Sequence, residues 1–176
     1  MNAFRTTTIV ASLAALLAFP VASRADATVE EAKDAVATLK KADPSLQKFF
    51  DQSVGYAVFP GVGKGGLVVG GAGGSGIVFE HGKAVGKATL SQVTIGAQIG
   101  GQAYYEIIFF ETAETLAAFK TGEWTMAAQV SAVALKSGAS ADAAYKNGVA
   151  VFTLSKGGAM AEASVGGQKF GYKPLN

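Results

Sequence analysis

The chain has 176 residues, 49% of them hydrophobic and 16% charged, with 23 glycines, one histidine, no cysteine and a formal net charge of +2. Without cysteine there is no disulfide framework, no thiol chemistry and no lipid-modified amino-terminal cysteine. Arg5 and Arg24 are the only arginines, and without them 13 lysines face 13 acids, so no guanidinium fork or basic field is left to bind nucleic acid.

Arg5 precedes an apolar run from Ile9 to Ala22, and Ser23-Arg24-Ala25 puts small residues at the two positions a signal peptidase reads. At about 14 residues the run is shorter than the roughly 20 that span a bilayer as a helix. Residues 1–25 are therefore expected to be a secretory signal peptide cut after Ala25. Residues 26–176 are expected to form one domain, exported to the periplasm or cell envelope or secreted. About 150 residues are enough to bury roughly 70% of the unfolded surface.

Thr28-Val29-Glu30-Glu31 is a capping box, and Val29, Ala32, Val36 and Leu39 follow at helical spacing. Asp43-Pro44 ends this helix and opens a second, with Leu46, Phe49 and Phe50 on its apolar side. Lys33, Lys40, Lys41 and Lys48 are interleaved with Glu30, Glu31, Asp34, Asp43 and Asp51. That mixture favours a solvated helix face over a basic helix lying on a membrane surface.

From Val54 the sequence turns Gly-rich, β-branched and aromatic, which predicts strands over 54–59, 65–79, 83–92 and 94–110, with Glu80-His81-Gly82-Lys83 as a hairpin turn. Gly100-Gly101 supplies a bend in the last of these. Thr112 to Lys120 reads as a compact helix closed by Gly122, and strands resume over 124–135, 149–154 and 159–170.

The stretch from Gly61 to Gly76, GVGKGGLVVGGAGGSG, contains G-x-G-x-x-G twice. Neither copy leads into a helix, so the backbone amides and helix dipole that would hold a pyrophosphate are missing. Lys64 is followed by Gly65 where a P-loop needs Ser or Thr, and Ile77 replaces the last glycine of a nucleophile elbow around Ser75. Glycine inside a strand lowers stability unless the missing side chains allow a curl, a bulge or a close approach. Two readings follow: a helix of the same protein covers the bare region, or a flat or chain-like ligand does. For the ligand, Lys64, Gly65, Gly66, Gly70, Gly71 and Gly73 form the contact, with Gln98, Gln102 and Ser75 at its rim.

Taken in order, Val54-Gly55-Tyr56-Ala57-Val58-Phe59-Pro60, the Lys64-Gly65-Gly66 step and the Gly70-Gly71-x-Gly73-x-x-Gly76 run resemble the opening of the SYLF domain. Ile95 to Gln102, Ile107 to Phe110, Phe119-x-x-Gly122 and Tyr145-x-x-Gly148-Val149 continue the resemblance over nearly all of 26–176. It implies lipid binding, which in eukaryotic members means phosphoinositide membranes and in some cases actin filaments, while exported bacterial relatives are described as lipid-binding. The amino-terminal helix here departs from the basic amphipathic segment of the phosphoinositide binders, and export would separate the chain from actin. A phospholipid or other amphipathic ligand, with peripheral membrane contact, is the partner that remains. The resemblance carries over no catalytic residue.

Catalysis has little to draw on. His81 sits in a hairpin turn, Glu111 and Glu114 lie at a helix start where the dipole accounts for them, and no zinc or calcium motif occurs. No catalytic residue, metal ligand or cofactor is assigned. Trp124, Tyr104 and Tyr105 read as core or cross-strand aromatics ahead of groove-lining ones. The expected fold is α+β: a strongly curved antiparallel sheet, half-open or closed like a barrel, with amino-terminal helices and one inserted helix. The expected function is non-enzymatic lipid binding, and the alternative is a structural or adhesion module acting through its sheet surface.

Overall fold

The computed structural model describes residues 26–66, 69–95, 102–157 and 165–176. Helix α1 (Val29–Ala42) starts from the full capping box, with the Thr28 hydroxyl accepting from Glu31 N and the Glu31 carboxylate accepting from Thr28 N. A 3-10 turn (Pro44–Leu46) and helix α2 (Gln47–Gln52) follow, and Asp43 caps the turn. The strands are β1 (Gly55–Gly66), β2 (Val69–Glu80), β3 (Lys83–Ile95), β4 (Gln102–Phe110), β5 (Trp124–Thr125), β6 (Ala132–Ala134), β7 (Val149–Ser155) and β8 (Lys169–Pro174). Helix α3 (Ala113–Phe119) is inserted after β4 and capped by Thr112.

All eight strands form one sheet in the order β5-β8-β3-β2-β1-β4-β7-β6, curled into a half-barrel. The α+β class and the placement of the helices match the sequence reading. The pairing differs in one respect: β6 runs parallel to β7, so the sheet is mixed. A three-residue strand reached through a long connection need not obey hairpin direction.

Several boundaries also shift. The predicted strand over 65–79 is a hairpin, because β1 runs on through Pro60 to Gly66 and returns as β2 from Val69. Pro60 is tolerated where the β1 register breaks, between Val58 and Gly63 on the β2 side. The 124–135 segment yields only two short strands; of the strand predicted over 159–170, residues 159–164 lie outside the described residues, and β8 covers Lys169–Pro174. The proposed bend at Gly100-Gly101 lies outside the described residues. The Glu80–Lys83 turn holds, with His81 at φ 50° and Gly82 at φ 76°, the pair of positive angles of a two-residue hairpin loop.

Alternation along the strands sends side chains into two cores. On one face Ala57, Phe59, Val78, Leu90, Ile108, Phe110, Val151 and Phe170 pack under Leu116 and Phe119 of α3. On the other, Val58, Ile77, Phe79, Ile107, Phe109 and Phe152 pack under Leu39, Leu46 and Phe49 of the amino-terminal helices. The two faces are called below the α3 face and the α1 face. Trp124 packs against Phe110, Phe119 and Phe170, and Tyr104 is buried, which places both in the α3-face core.

Candidate functional site

Helix α1 covers only part of its face. The chain enters it beside β2, where Ala27 N donates to Ser75 Oγ at 2.8 Å and Asp26 meets Lys87 at 3.1 Å. Beyond Ser75 the α1 face continues along β2 as Gly73 and Gly71, and no described helix lies over them. Their cross-strand partners are Gly63 and Gly65 on β1 and Ser91 and Val93 on β3. Directly paired residues share a face, so four glycines, a serine and a valine make a flat sheet surface. Val93 is 79% exposed, the one large exposed hydrophobic among the described residues.

The glycines there differ from those elsewhere in the sheet. A Cβ at Gly76 would lie 2.5 Å from Val58 O, and one at Gly55 2.6 Å from Phe79 O, so packing demands glycine at both. Among the described residues, a Cβ at Gly65 would meet nothing within 4 Å, and one at Gly73 only Leu90 O at 3.6 Å. Gly71 is intermediate, with Gln92 O at 3.2 Å. Among the described residues, neither packing nor a positive φ explains glycine at Gly65 or Gly73, although glycine lowers strand stability.

The structure divides the predicted contact between two faces. Gly65, Gly71 and Gly73 share the α1 face, with Ser75 at the edge of the helix. Lys64 pairs with Ala72 on one side and Gln102 on the other, and Gly70 alternates with them, so these lie on the α3 face. Gly66 pairs with Gly70 at the last described step of the hairpin. Gln98 lies outside the described residues. Ser75 is not a free rim group but an anchor for the start of α1.

A group absent from the predicted site lies deeper on the α3 face. Glu106 of β4 is fully buried, opposite Phe59 on β1 and Thr153 on β7, and Gln168 Nε2 donates to its Oε2 at 3.0 Å. Burial pushes its carboxyl up to about 7, opposed by the Gln168 hydrogen bond. The Tyr104 hydroxyl is pushed up as well, first by burial and then by the nearby Glu106 charge, while the Gln168 side chain acts the other way. The signal in the sequence was a lone acid inside the apolar run from Tyr104 to Phe110, a position where ionised side chains are seldom buried unpaired.

Elsewhere, His81 is exposed at its turn and Glu114 lies in the first turn of α3, its carboxyl held below the usual range by hydrogen bonds. No group of three or more His, Cys, Asp or Glu capable of holding a metal occurs among the described residues. None of the described helices is long and apolar enough to cross a membrane.

The half-barrel thus carries helices on both faces and a bare glycine patch beside one of them. Residues 91–173 match the family model Ysc84, described as Las17-binding protein actin regulator. Beta cell expansion factor A of Aeromonas veronii is 30% identical over 154 residues, covering 81% of this chain and 58% of that protein. Residues 91–173 thus carry a domain of the Ysc84 (SYLF) family, to which that relative also belongs. The chain spans less than two thirds of the length of that relative.

Proposed function

We propose that the chain is a non-catalytic binding domain that lays a phospholipid, or another amphipathic molecule, against the bare strip of its α1 face. The observation that carries this reading is the pair Gly65 and Gly73, glycines for which neither packing nor backbone angle has a use. A flat strip admits an acyl chain or a bilayer surface to backbone distance, and Val93 adds apolar contact at its edge. Membership in a family of binding domains supports the same class of activity. The leader segment, if removed after Ala25, would deliver the domain to the periplasm or cell envelope, away from the actin that the family description mentions.

The test is flotation with phosphatidylglycerol/phosphatidylcholine vesicles, comparing wild type with Gly73→Val and Gly65→Val. Both variants have room for the new side chain, so circular dichroism and unfolding midpoints should match wild type or exceed it. Vesicle binding should fall at least tenfold. Folded variants that bind as wild type does would remove the strip from the site, and a wild type that fails to bind vesicles would leave a protein-contact role for the same surface.

A further inference from the structure

Three polar atoms inside the α3-face core have no hydrogen-bond partner among the described residues: Glu106 Oε1, Thr153 Oγ1 and Gln168 Oε1. They belong to one cluster. Glu106 and Thr153 face each other across β4 and β7, and the Gln168 amide that holds Glu106 Oε2 at 3.0 Å carries its own oxygen on the same group. All three residues are 0–1% exposed, and Phe59, Tyr104, Ile108, Val151 and Val165 belong to the same apolar core. An unmet buried polar atom lowers stability, and an apolar residue of similar shape would avoid the loss. Three such atoms together mark a site rather than a packing accident.

We propose that Glu106, Thr153 and Gln168 form an internal site for a small guest that donates hydrogen bonds, either a water molecule or a primary ammonium group. The chemistry follows from the atoms. Gln168 Oε1 is an acceptor only, Thr153 Oγ1 can accept, and Glu106 Oε1 accepts whenever the carboxyl is ionised. The cluster contains no cation, so an ammonium would supply both the three donors and the balancing charge. With the carboxyl protonated, one water would accept from Glu106 and donate to the other two, the three bonds usual for a buried water. The site is separate from the bare strip and stands whether or not that strip binds lipid.

Two measurements on the purified protein distinguish the guests. Urea unfolding at pH 8 in ammonium chloride is compared with sodium chloride at equal ionic strength. An ammonium guest raises the wild-type midpoint along a saturating curve, as expected for a ligand that binds only the native state. Water-to-amide Overhauser spectroscopy at residues 106, 153 and 168 detects a long-lived water directly. The double variant Glu106→Leu/Thr153→Val should lose whichever signal the wild type gives. Glu106→Gln, which keeps the shape, should weaken an ammonium effect at least tenfold and serves if the double variant does not fold. A wild type with neither the ammonium effect nor a long-lived water overturns the proposal, as does either signal persisting undiminished in a folded double variant.

Discussion

The Asp43 carboxylate receives the backbone N–H of Ser140 at 2.7 Å, tying the end of α1 to a loop 97 residues further along the chain. The same carboxylate accepts from Gly138 N and Ser45 N, each at 3.1 Å, and from the Ser45 hydroxyl. Burial pushes its pKa up, but the hydrogen bonds from Ser45, Ser140 and Gly138 outweigh burial and hold it down at about 2. Lys48 strengthens the tie by donating to the carbonyls of Ala141 and Ala143.

Asp43→Ala should therefore destabilise the protein by on the order of 2 kcal/mol, since charge-assisted hydrogen bonds to buried amides are lost together. The depressed pKa fixes the sign of the pH effect: Asp43 contributes its full stability above its ordinary value of 3.8 and loses it as pH falls toward 2. Urea midpoints of wild type and variant should differ at pH 6 and converge near pH 2. A constant difference down to pH 2 would contradict the assignment.

Glu106 gives the opposite slope. Its carboxyl, raised from 4.5 to about 7, keeps a proton in the native state that the unfolded chain has already released. Native stability should fall as pH rises from about 4.5 through 7 and level off above, by on the order of 3 kcal/mol. Among the described residues the polar groups facing it are Tyr104, Thr153 and Gln168, none cationic. Glu106→Gln should flatten this part of the profile and be the more stable protein at pH 8. Parallel profiles for the two proteins between pH 5 and 8 would show that Glu106 does not titrate in that range.

The glycines divide into two sets that alanine scanning should separate. Gly76→Ala forces a Cβ to 2.5 Å from the Val58 carbonyl, a backbone atom that cannot swing aside, and should destabilise by about 2–4 kcal/mol through overpacking. Gly65→Ala and Gly73→Ala should be neutral or stabilising by up to about 1 kcal/mol, because an open strand position gains from any side chain. Thermal unfolding of the three variants would decide the matter; a large loss at Gly65 would mean that packing does use that glycine.

Phe49 joins the amino-terminal helices to the sheet. Its ring lies 4.8 Å from Phe152, 5.4 Å from Tyr145 and 5.5 Å from Phe109. With Phe49 buried, Phe49→Ala should destabilise by about 3–5 kcal/mol. Loss of the near-ultraviolet dichroism signal ahead of global unfolding would show α2 undocking first.

Much of the helical part was legible because its signals are local: a capping box, a Pro after a capping Asp, and a Thr-capped helix closed by Gly122 each need only a few consecutive residues. The Gly-rich hairpin was not. Glycine has no side chain to alternate, so nothing marked the reversal after Gly66, and the two faces of β1 and β2 could not be told apart. For that reason the sequence pattern groups Lys64 with Gly65, although the two positions lie on opposite faces of β1. Glu106 escaped for another reason: whether a lone acid is buried depends on Thr153 and Gln168, which arrive from strands and loops far away in sequence.

The sheet order is nested, with the β1–β2 hairpin at the centre, β3 and β4 beside it, β8 and β7 outside them, and β5 and β6 at the two ends. The pairs β1–β2, β2–β3 and β6–β7 join strands that follow one another in the chain, whereas β8 reaches β3 by joining Lys169 to Ser91, and β7 brings a second distant segment to β4. Each outer strand has no template until the inner ones are paired, so assembly should proceed outward from the centre. Such non-local topology places folding in the millisecond-to-second range rather than microseconds. During that interval the central strands would expose both apolar faces, which makes a newly made chain most in need of a holding chaperone before its last strands close.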